Sequence, residues 1–297
     1  MISLDNNIKQ PYELIESEFK LFQRLVYREA GIFLGDAKRA LVAGRLSSRV
    51  KELGLPNFSA YHRLVTKGNT DELATMLDCI CTNETHFFRE AHHFEFLANT
   101  WLPARIKAAL YGGSRKIHIW SAGCSTGEEP YSIAMVLLDK LCGQGYWDIE
   151  ILATDLSRRA LNQARLGIWN IDRASEINEY YLKKYMLRGV NLKSKWMKAS
   201  NALRKIIRFE RMNLNDTIYE YIDTFDLIFC RNVLIYFDNT SRNAVIERLL
   251  SYLAHAGYLF LGHAETINGL NSQLYAVAHS VYTREQNKSV LPETGIT

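Results

Sequence analysis

The chain is poor in cysteine and has no long apolar run, and each shortage excludes something. Its five cysteines, Cys79, Cys81, Cys124, Cys142 and Cys230, are odd in number and contain no C-x-x-C. Neither a disulfide framework nor a zinc site is indicated, and a reducing, cytoplasmic setting fits best. Apolar stretches such as YLFLG and DLIFC are strand-sized, far short of a membrane span. The start, MISLDNNIKQPYEL, lacks a basic segment followed by an apolar one, so no signal peptide is expected. The polar end, QNKSVLPETGIT, is expected to be mobile. Its LPETG looks like a sortase motif, but with no apolar tail behind it a tag or chance explains it better than surface anchoring. There is no internal repeat and no low-complexity tract.

What is present suits a large folded protein. Hydrophobic residues make up 47% of 297, enough for a sizeable core in two domains or in one with an appendage. The net charge of +4 is modest but uneven: residues 19–70 hold ten Lys/Arg against three Asp/Glu. The N-terminal part is a basic module, which suits an acidic partner, although a solvated helix face explains such a run equally well.

Periodicity divides the chain in two. From Phe19 to about Thr75 the pattern is helical. FKLFQRLVYREAG places Phe19, Phe22, Leu25 and Val26 on one face and stops at Gly31. A second helix is expected to start with Asp36 as its N-cap and to end at Gly54, with Lys38, Arg45 and Arg49 in one stripe. From about Ile117, KIHIWSA, IEILATD, IIRFERMN, FDLIFCRN and GYLFLGH are of strand type. The helical stretches EEPYSIAMVLLDKL, SRRALNQARLG and SRNAVIERLLSYLA separate several of them. The alternation predicts an α/β, doubly wound sheet. The expected domains are residues 1–78, all-α and basic, and 79–297, with about 168–204 as an inserted subdomain or a surface loop.

The stretch WSAGCSTGEEPYS, from Trp120 to Ser132, carries the first chemical signal. A glycine loop feeding a helix N-terminus usually receives phosphate. Here the spacing is Gly123-x-x-x-Gly127, with neither G-x-G-x-x-G nor Gly-Lys-Ser/Thr, and two carboxylates, Glu128 and Glu129, stand at the mouth. These could simply complement the helix dipole. Asp155, at the end of the second strand, is placed either to accept from ribose hydroxyls or to cap the next helix. A ribose acid, a glycine loop and carboxylates without a phosphate cradle point to a cationic nucleoside, and S-adenosyl-L-methionine fits.

Several long motifs then sharpen the reading. CTNETHFFREAHHFEFL, IWSAGCSTGEEPYSIAM, ATDLS and FDLIFCRNVLIYF followed by GYLFLGHAE closely resemble the CheR family, the chemotaxis receptor methyltransferases. The match runs from about residue 19 to 284. It implies a Rossmann-like S-adenosylmethionine-dependent methyltransferase domain with a small inserted β subdomain, preceded by an all-α N-terminal domain. It implies methyl transfer from S-adenosyl-L-methionine to receptor glutamates, leaving S-adenosyl-L-homocysteine. By the same resemblance Asn83, Thr85 and Arg89 line the cofactor and active site; Gly123, which follows the strand directly, is expected on its own account to bring the backbone close to the ligand. One of Glu128 and Glu129 contacts the methionine part, Asp155 the ribose, and Asn213 and Leu214 flank the adenine. Arg231, Asn232 and Tyr236 match the family's RN…IYF. Cys81 stands where a Thr is frequent, and residues 189–200 lack glycines that some members have, which leaves binding of a receptor C-terminal peptide there open.

Chemistry and resemblance agree on economy. A glutamate carboxylate, with a pKa of about 4.3, is already an anion at neutral pH and needs no base to attack a methyl group. The absence of a catalytic dyad is therefore no objection, and alignment carries the reaction. Arg89 and Tyr236 are the candidate catalytic residues, holding the substrate carboxylate, the cofactor or both; a helix-end ion pair and a half-buried core aromatic are their structural alternatives. Adjacent His92 and His93 are not expected to share a face or hold a metal. His263 and Glu265 could line the site or serve structure, and Tyr180, Tyr181 and Tyr185 hint at nucleic acid or at helix packing. The expected partner is a chemotaxis receptor, docked on the basic helix Lys38–Arg49 by attraction that salt weakens, with no nucleic acid and no membrane insertion. Two other readings share the cofactor. One is a nucleic-acid methyltransferase, against which the proline-free RNVLIY counts; the other is a sensor without turnover.

Overall fold

The computed structural model describes residues 13–219, 223–265 and 274–284. The LPETG tail and the first twelve residues lie outside them. The chain divides into two compact units, residues 1–82 and 83–297.

Among its described residues the first unit holds four α-helices: α1 (Glu16–Ala30), α2 (Arg39–Glu52), α3 (Phe58–Thr66) and α4 (Thr70–Ile80). Helix α1 ends where Gly31 turns left-handed at φ 68°, its N–H on the Tyr27 carbonyl. Its buried face holds Phe19, Phe22, Leu25 and Val26, and Phe22 meets Phe58 and Tyr61 of α3. Asp36 does not cap α2. A single 3-10 turn, Asp36–Lys38, intervenes, and Asp36 instead accepts from the Gln23 side chain at 3.1 Å. Two arginines of the basic stripe are also committed inside the unit. Arg49 forms a fork onto Glu72 (2.9 and 2.6 Å), which Tyr61 also donates to at 2.8 Å. Arg45 donates to the Ile80 carbonyl and to Thr82.

The second unit begins with α5 (Ala91–Phe96) and α6 (Leu102–Leu110), joined by a π-helical stretch, Leu97–Trp101. Then β1 (Lys116–Ala122), α7 (Glu128–Lys140), β2 (Asp148–Asp155) and α8 (Arg158–Leu166) alternate as expected. Three short strands, β3 (Ile168–Asn170), β4 (Met186–Arg188) and β5 (Trp196–Ala199), form a separate antiparallel sheet in the order β3-β5-β4, with α9 (Glu179–Tyr185) between the first two. After α10 (Asn201–Lys205) the main sheet resumes with β6 (Ile207–Arg211) and β7 (Phe225–Cys230). Helix α11 (Asn239–Ser251) leads to β8 (Leu253–Leu261), followed by β9 (Tyr275–Ala278) and β10 (Val281–Thr283). Among the described residues the sheet order is β6-β2-β1-β7-β8-β10-β9, parallel up to β8 and antiparallel beyond. The central strands are apolar on both faces because each face has its own core. Ile117, Ile119 and Phe229 pack on one side; Trp120, Ile228 and Leu259 pack on the other. Of the tyrosines of α9, Tyr185 is buried and Tyr181 stacks on Phe88, while exposed Tyr180 with Lys184 holds Asp139 of α7. No described helix is long and apolar enough to cross a membrane.

Candidate active site

Chain order places the site. From β1 the sheet grows outward through β2 to β6, then returns to the other side of β1 with β7, so the winding reverses between β1 and β7. Crevices at the carboxyl ends of strands flanking such a reversal receive ligands in open α/β sheets.

The glycine loop folds over this point. The N–H groups of Gly123 and Cys124 both donate to the Thr154 carbonyl, at 2.8 and 2.9 Å. Gly123 has φ +84°, and a Cβ there would fall 2.3 Å from Val233, so only glycine lets this loop meet the loop after β7. Gly127, at φ +99°, likewise starts α7 within reach of Ala164 on α8. Asp155 braces the loop: its Oδ2 accepts from the Ser125 N–H and its Oδ1 from the Ser157 N–H, both at 2.8 Å. It does not cap α8, because the Ser157 hydroxyl does so at the Ala160 N–H. Asn83 joins this side, its carbonyl accepting from Ser125 Oγ at 3.0 Å and its amide donating to Ser157 at 3.5 Å. Asn213 follows directly on Met212, whose N–H donates to the Asp155 carbonyl at 3.1 Å. Leu214 is buried, its carbonyl taken by Tyr219 and Arg248.

The β7 side is a knot of charge. Arg231, with a side chain only 2% exposed, donates to Glu129 Oε2 at 3.1 Å and to Glu90 Oε2 at 3.2 and 3.3 Å, and also to the Arg89 carbonyl. Glu129 further accepts from Ser121, next to the last residue of β1, at 2.6 Å, so its carboxylate bridges β1 and β7 across the reversal. Glu90 also takes the Asn232 amide at 3.2 Å and the His263 N–H at 3.1 Å. Glu265 is the second brace of this loop. Its buried carboxylate accepts from the N–H groups of Gly262, Asn232 and Ile235, at 2.7, 2.8 and 3.2 Å. Tyr236 ends the 3-10 turn Leu234–Tyr236 that follows, and Arg89 donates to the Glu84 carbonyl at 3.2 Å; both are half-buried. Four non-glycine residues with positive φ, Phe88, Glu90, Ser125 and Asn232, sit on these loops, strain of the kind that collects at functional sites.

Glu128 belongs to neither group. It is buried, with Thr126 at 2.7 Å and Arg173 at 2.8 Å, and Arg173 also holds the Thr85 carbonyl. Burial pushes the pKa of Glu128, Glu129 and Glu265 upward. Burial would also raise Glu90, but the His263 N–H, Arg231 and Asn232 bring it below the ordinary carboxylate value. Burial, aided by Arg231, lowers His93 to about 3, so it is neutral. The rings of His92 and His93, neighbours in α5, lie 4.1 Å apart between centroids and are tilted. Among the described residues no cluster of His, Cys, Asp and Glu is arranged to hold a metal.

Two residues escaped the sequence reading. Glu90 sits inside a motif that was read for its neighbour Arg89, and its adjacency was the available signal. Arg173 had none, since it reaches the site from a segment far along the chain.

Comparison with known proteins now decides the family. Residues 83–283 match the model described as "CheR methyltransferase, SAM binding domain", and residues 17–81 match "CheR methyltransferase, all-alpha domain". This chain belongs to the CheR methyltransferase family. Proteins named "Chemotaxis protein methyltransferase" are similar over most of their length. That of Borreliella burgdorferi is 38% identical, covering 94% of this chain and 98% of its own. Those of Salmonella typhimurium (35%; 94% and 94%) and Escherichia coli (36%; 91% and 91%) follow. The cofactor of this CheR domain is S-adenosyl-L-methionine. The residues suit it: at the reversal two carboxylates, Glu90 and Glu129, share one guanidinium, and the surplus negative charge favours a cationic ligand over a phosphate.

Proposed function

We propose that this CheR protein methylates glutamate side-chain carboxylates of chemotaxis receptors, forming methyl esters, and does so in the cytoplasm, where its five cysteines would stay reduced. When bound, S-adenosyl-L-methionine supplies a methyl group on a positively charged sulfur and leaves as the neutral thioether S-adenosyl-L-homocysteine. What the chain supplies is placement. Glu129, straddling β1 and β7, is assigned to the methionine ammonium. Glu128, already met by Arg173 and Thr126, is assigned a structural role. Asp155, Asn83, Gly123, Asn213 and Leu214 line the nucleoside side. Arg231 and Asn232 shape the β7 wall, with Arg231 acting through Glu129 and Glu90. Thr85, Arg89 and Tyr236 face the acceptor. Arg89 orients the receptor carboxylate without gripping the attacking oxygen, because an interaction equally strong before the transition state would not speed the reaction. Dry surroundings favour a step in which opposite charges cancel.

The observation that carries this reading is the pair of carboxylates around one arginine at the winding reversal. The receptor is expected to meet the basic helix α2, and its C-terminal peptide the β3-β5-β4 sheet. The test incubates the protein with radiolabelled S-adenosyl-L-methionine, receptor-bearing membranes and RNA. Label released from the receptor by mild alkali, and lost in Arg89→Ala, is the expected result. Label on RNA alone, or cofactor binding without transfer, would overturn it.

A further inference from the structure

Between α4 and α5 the chain crosses residues 82–88 without entering a helix or strand, and this strap carries Asn83, Thr85 and the approach to Arg89. Backbone groups on such a strap need partners. Two of them find those partners in the inserted segment. Arg173, in the 3-10 turn Ile171–Glu176 just after β3, donates from Nη1 and Nη2 to the Thr85 carbonyl at 2.9 and 2.8 Å. Glu176, three residues on, accepts from the Phe87 N–H at 2.9 Å. A third bond ties the strap to α7, where the Phe88 N–H donates to Ser132 Oγ at 3.0 Å. The same Arg173 Nη1 pairs with Glu128 at 2.8 Å, so one guanidinium joins the inserted segment, the strap and the first turn of the glycine-loop helix.

We propose that Arg173 is a positioning residue, a latch that sets the strap against the glycine loop and makes cofactor affinity depend on the conformation of the inserted segment. The inference rests on the assignment of Asn83, Thr85 and Arg89 to the site. A planar fork reaching one carbonyl and one carboxylate together fixes the strap in two directions, which a lysine point charge cannot do. It also makes coupling reciprocal: whatever shifts the turn Ile171–Glu176 weakens cofactor binding, and bound cofactor stiffens the turn.

The competing role is simple neutralisation of buried Glu128, and a double-mutant cycle separates the two. Calorimetry with S-adenosyl-L-homocysteine is run on the full chain, wild type, Arg173→Met, Glu128→Gln and the double variant, with Arg173→Lys as the conservative control. Arg173→Met is expected to weaken binding about tenfold, with most of that loss persisting in the Glu128→Gln background. Arg173→Lys should recover only part of it. In steady state KM for the methyl donor should rise while kcat changes less than about twofold. A loss that vanishes once Glu128 is neutral, or a lowered melting temperature with unchanged affinity, overturns the latch and leaves the cofactor site standing. Failure of the wild type to bind S-adenosyl-L-homocysteine overturns both.

Discussion

Two largely buried glutamates in this protein meet arginines and are driven in opposite directions. In the helical unit Glu72 receives both arms of Arg49 and the Tyr61 hydroxyl, and Arg49 foremost holds its pKa below the ordinary value. At the winding reversal Glu129 has one contact from Arg231, which it shares with Glu90, and burial outweighs that help, so its pKa rises. The first cluster is closed: each strong donor and acceptor is matched within the unit. The second is short of positive charge by design of its neighbours, and a methyl donor bearing an ammonium and a sulfonium would make up the shortage. Residue types are the same in both places. The ratio of charges and the bonding geometry separate a structural pair from the proposed binding site.

The sharpest break of this comparison removes each arginine in turn. Arg231→Met strands Glu90 and Glu129 in the interior, and loss of one partner from a buried ionic group destabilises by about 3–5 kcal/mol. Urea unfolding should report that loss, and calorimetry should find affinity for S-adenosyl-L-homocysteine reduced by about a hundredfold or more. Arg49, with a side chain 23% exposed, should show a smaller effect: about 1–3 kcal/mol for Arg49→Met, with cofactor affinity within about twofold of wild type. Equal losses of affinity in both variants would refute the distinction.

Next in size is Glu265, the brace behind the loop that carries Arg231, Asn232 and Tyr236. Glu265→Ala leaves three backbone N–H groups without their acceptor and should cost about 2–4 kcal/mol in stability, along with most of the activity. Glu265→Gln keeps one carbonyl oxygen, able to serve Asn232 and Gly262 together, and should recover the larger part of both. Loss of activity in the glutamine variant as complete as in the alanine variant would mean that the charge, not the acceptor geometry, matters.

How far the sequence led follows from the same local logic. Strand and helix periods were legible because β1, β2 and β7 are buried on both faces and their helices are amphipathic. The glycine loop and Asp155 were legible because spacing alone distinguishes them from phosphate cradles. Asp36 was misassigned because an isolated Asp before a helical pattern does not reveal a 3-10 turn or the Gln23 amide that claims it. Glu90 and Arg173 could not be ranked because their meaning lies in partners from distant segments: Arg231 is 141 residues from Glu90, and Thr85 is 88 from Arg173. Glu128 and Glu129 could not be told apart in sequence because their difference lies in distant partners, Arg173 for the first and Arg231 for the second.

Acidity offers a gentler test of the two glutamates. Glu72, lowered in the folded state, contributes stability present above the ordinary value of 4.5 and lost as pH falls through its folded value. Glu129, raised, does the reverse: the folded state favours its protonated form, so stability declines as pH climbs from 4.5 through its folded value. Each group can bend the curve by at most about 1.4 kcal/mol per pH unit. Without cofactor, Glu129→Gln should flatten the decline on the alkaline side of 4.5, and Glu72→Gln should flatten the loss on the acid side. Unfolding free energies measured from pH 3 to 8 would show both, and identical curves for the two variants would contradict the opposite signs.

The smallest expected effect concerns the face through which the helical unit is proposed to meet its receptor. With Arg45 and Arg49 engaged within the unit, the basic stripe reduces to fewer outward charges than its sequence suggests, and exposed Arg39 at the start of α2 becomes the better probe. Arg39→Glu should leave folding and cofactor affinity unchanged, because the side chain is exposed. Receptor methylation should slow by about three- to tenfold at low salt, mostly through KM. Solvent-exposed attraction is screened within about 8 Å at physiological ionic strength, so the difference from wild type should shrink as salt rises towards 0.5 M. An Arg39→Glu variant as fast as wild type at every salt concentration would move the docking face away from α2, whereas a salt-independent defect would point to a shape contact in place of an electrostatic one.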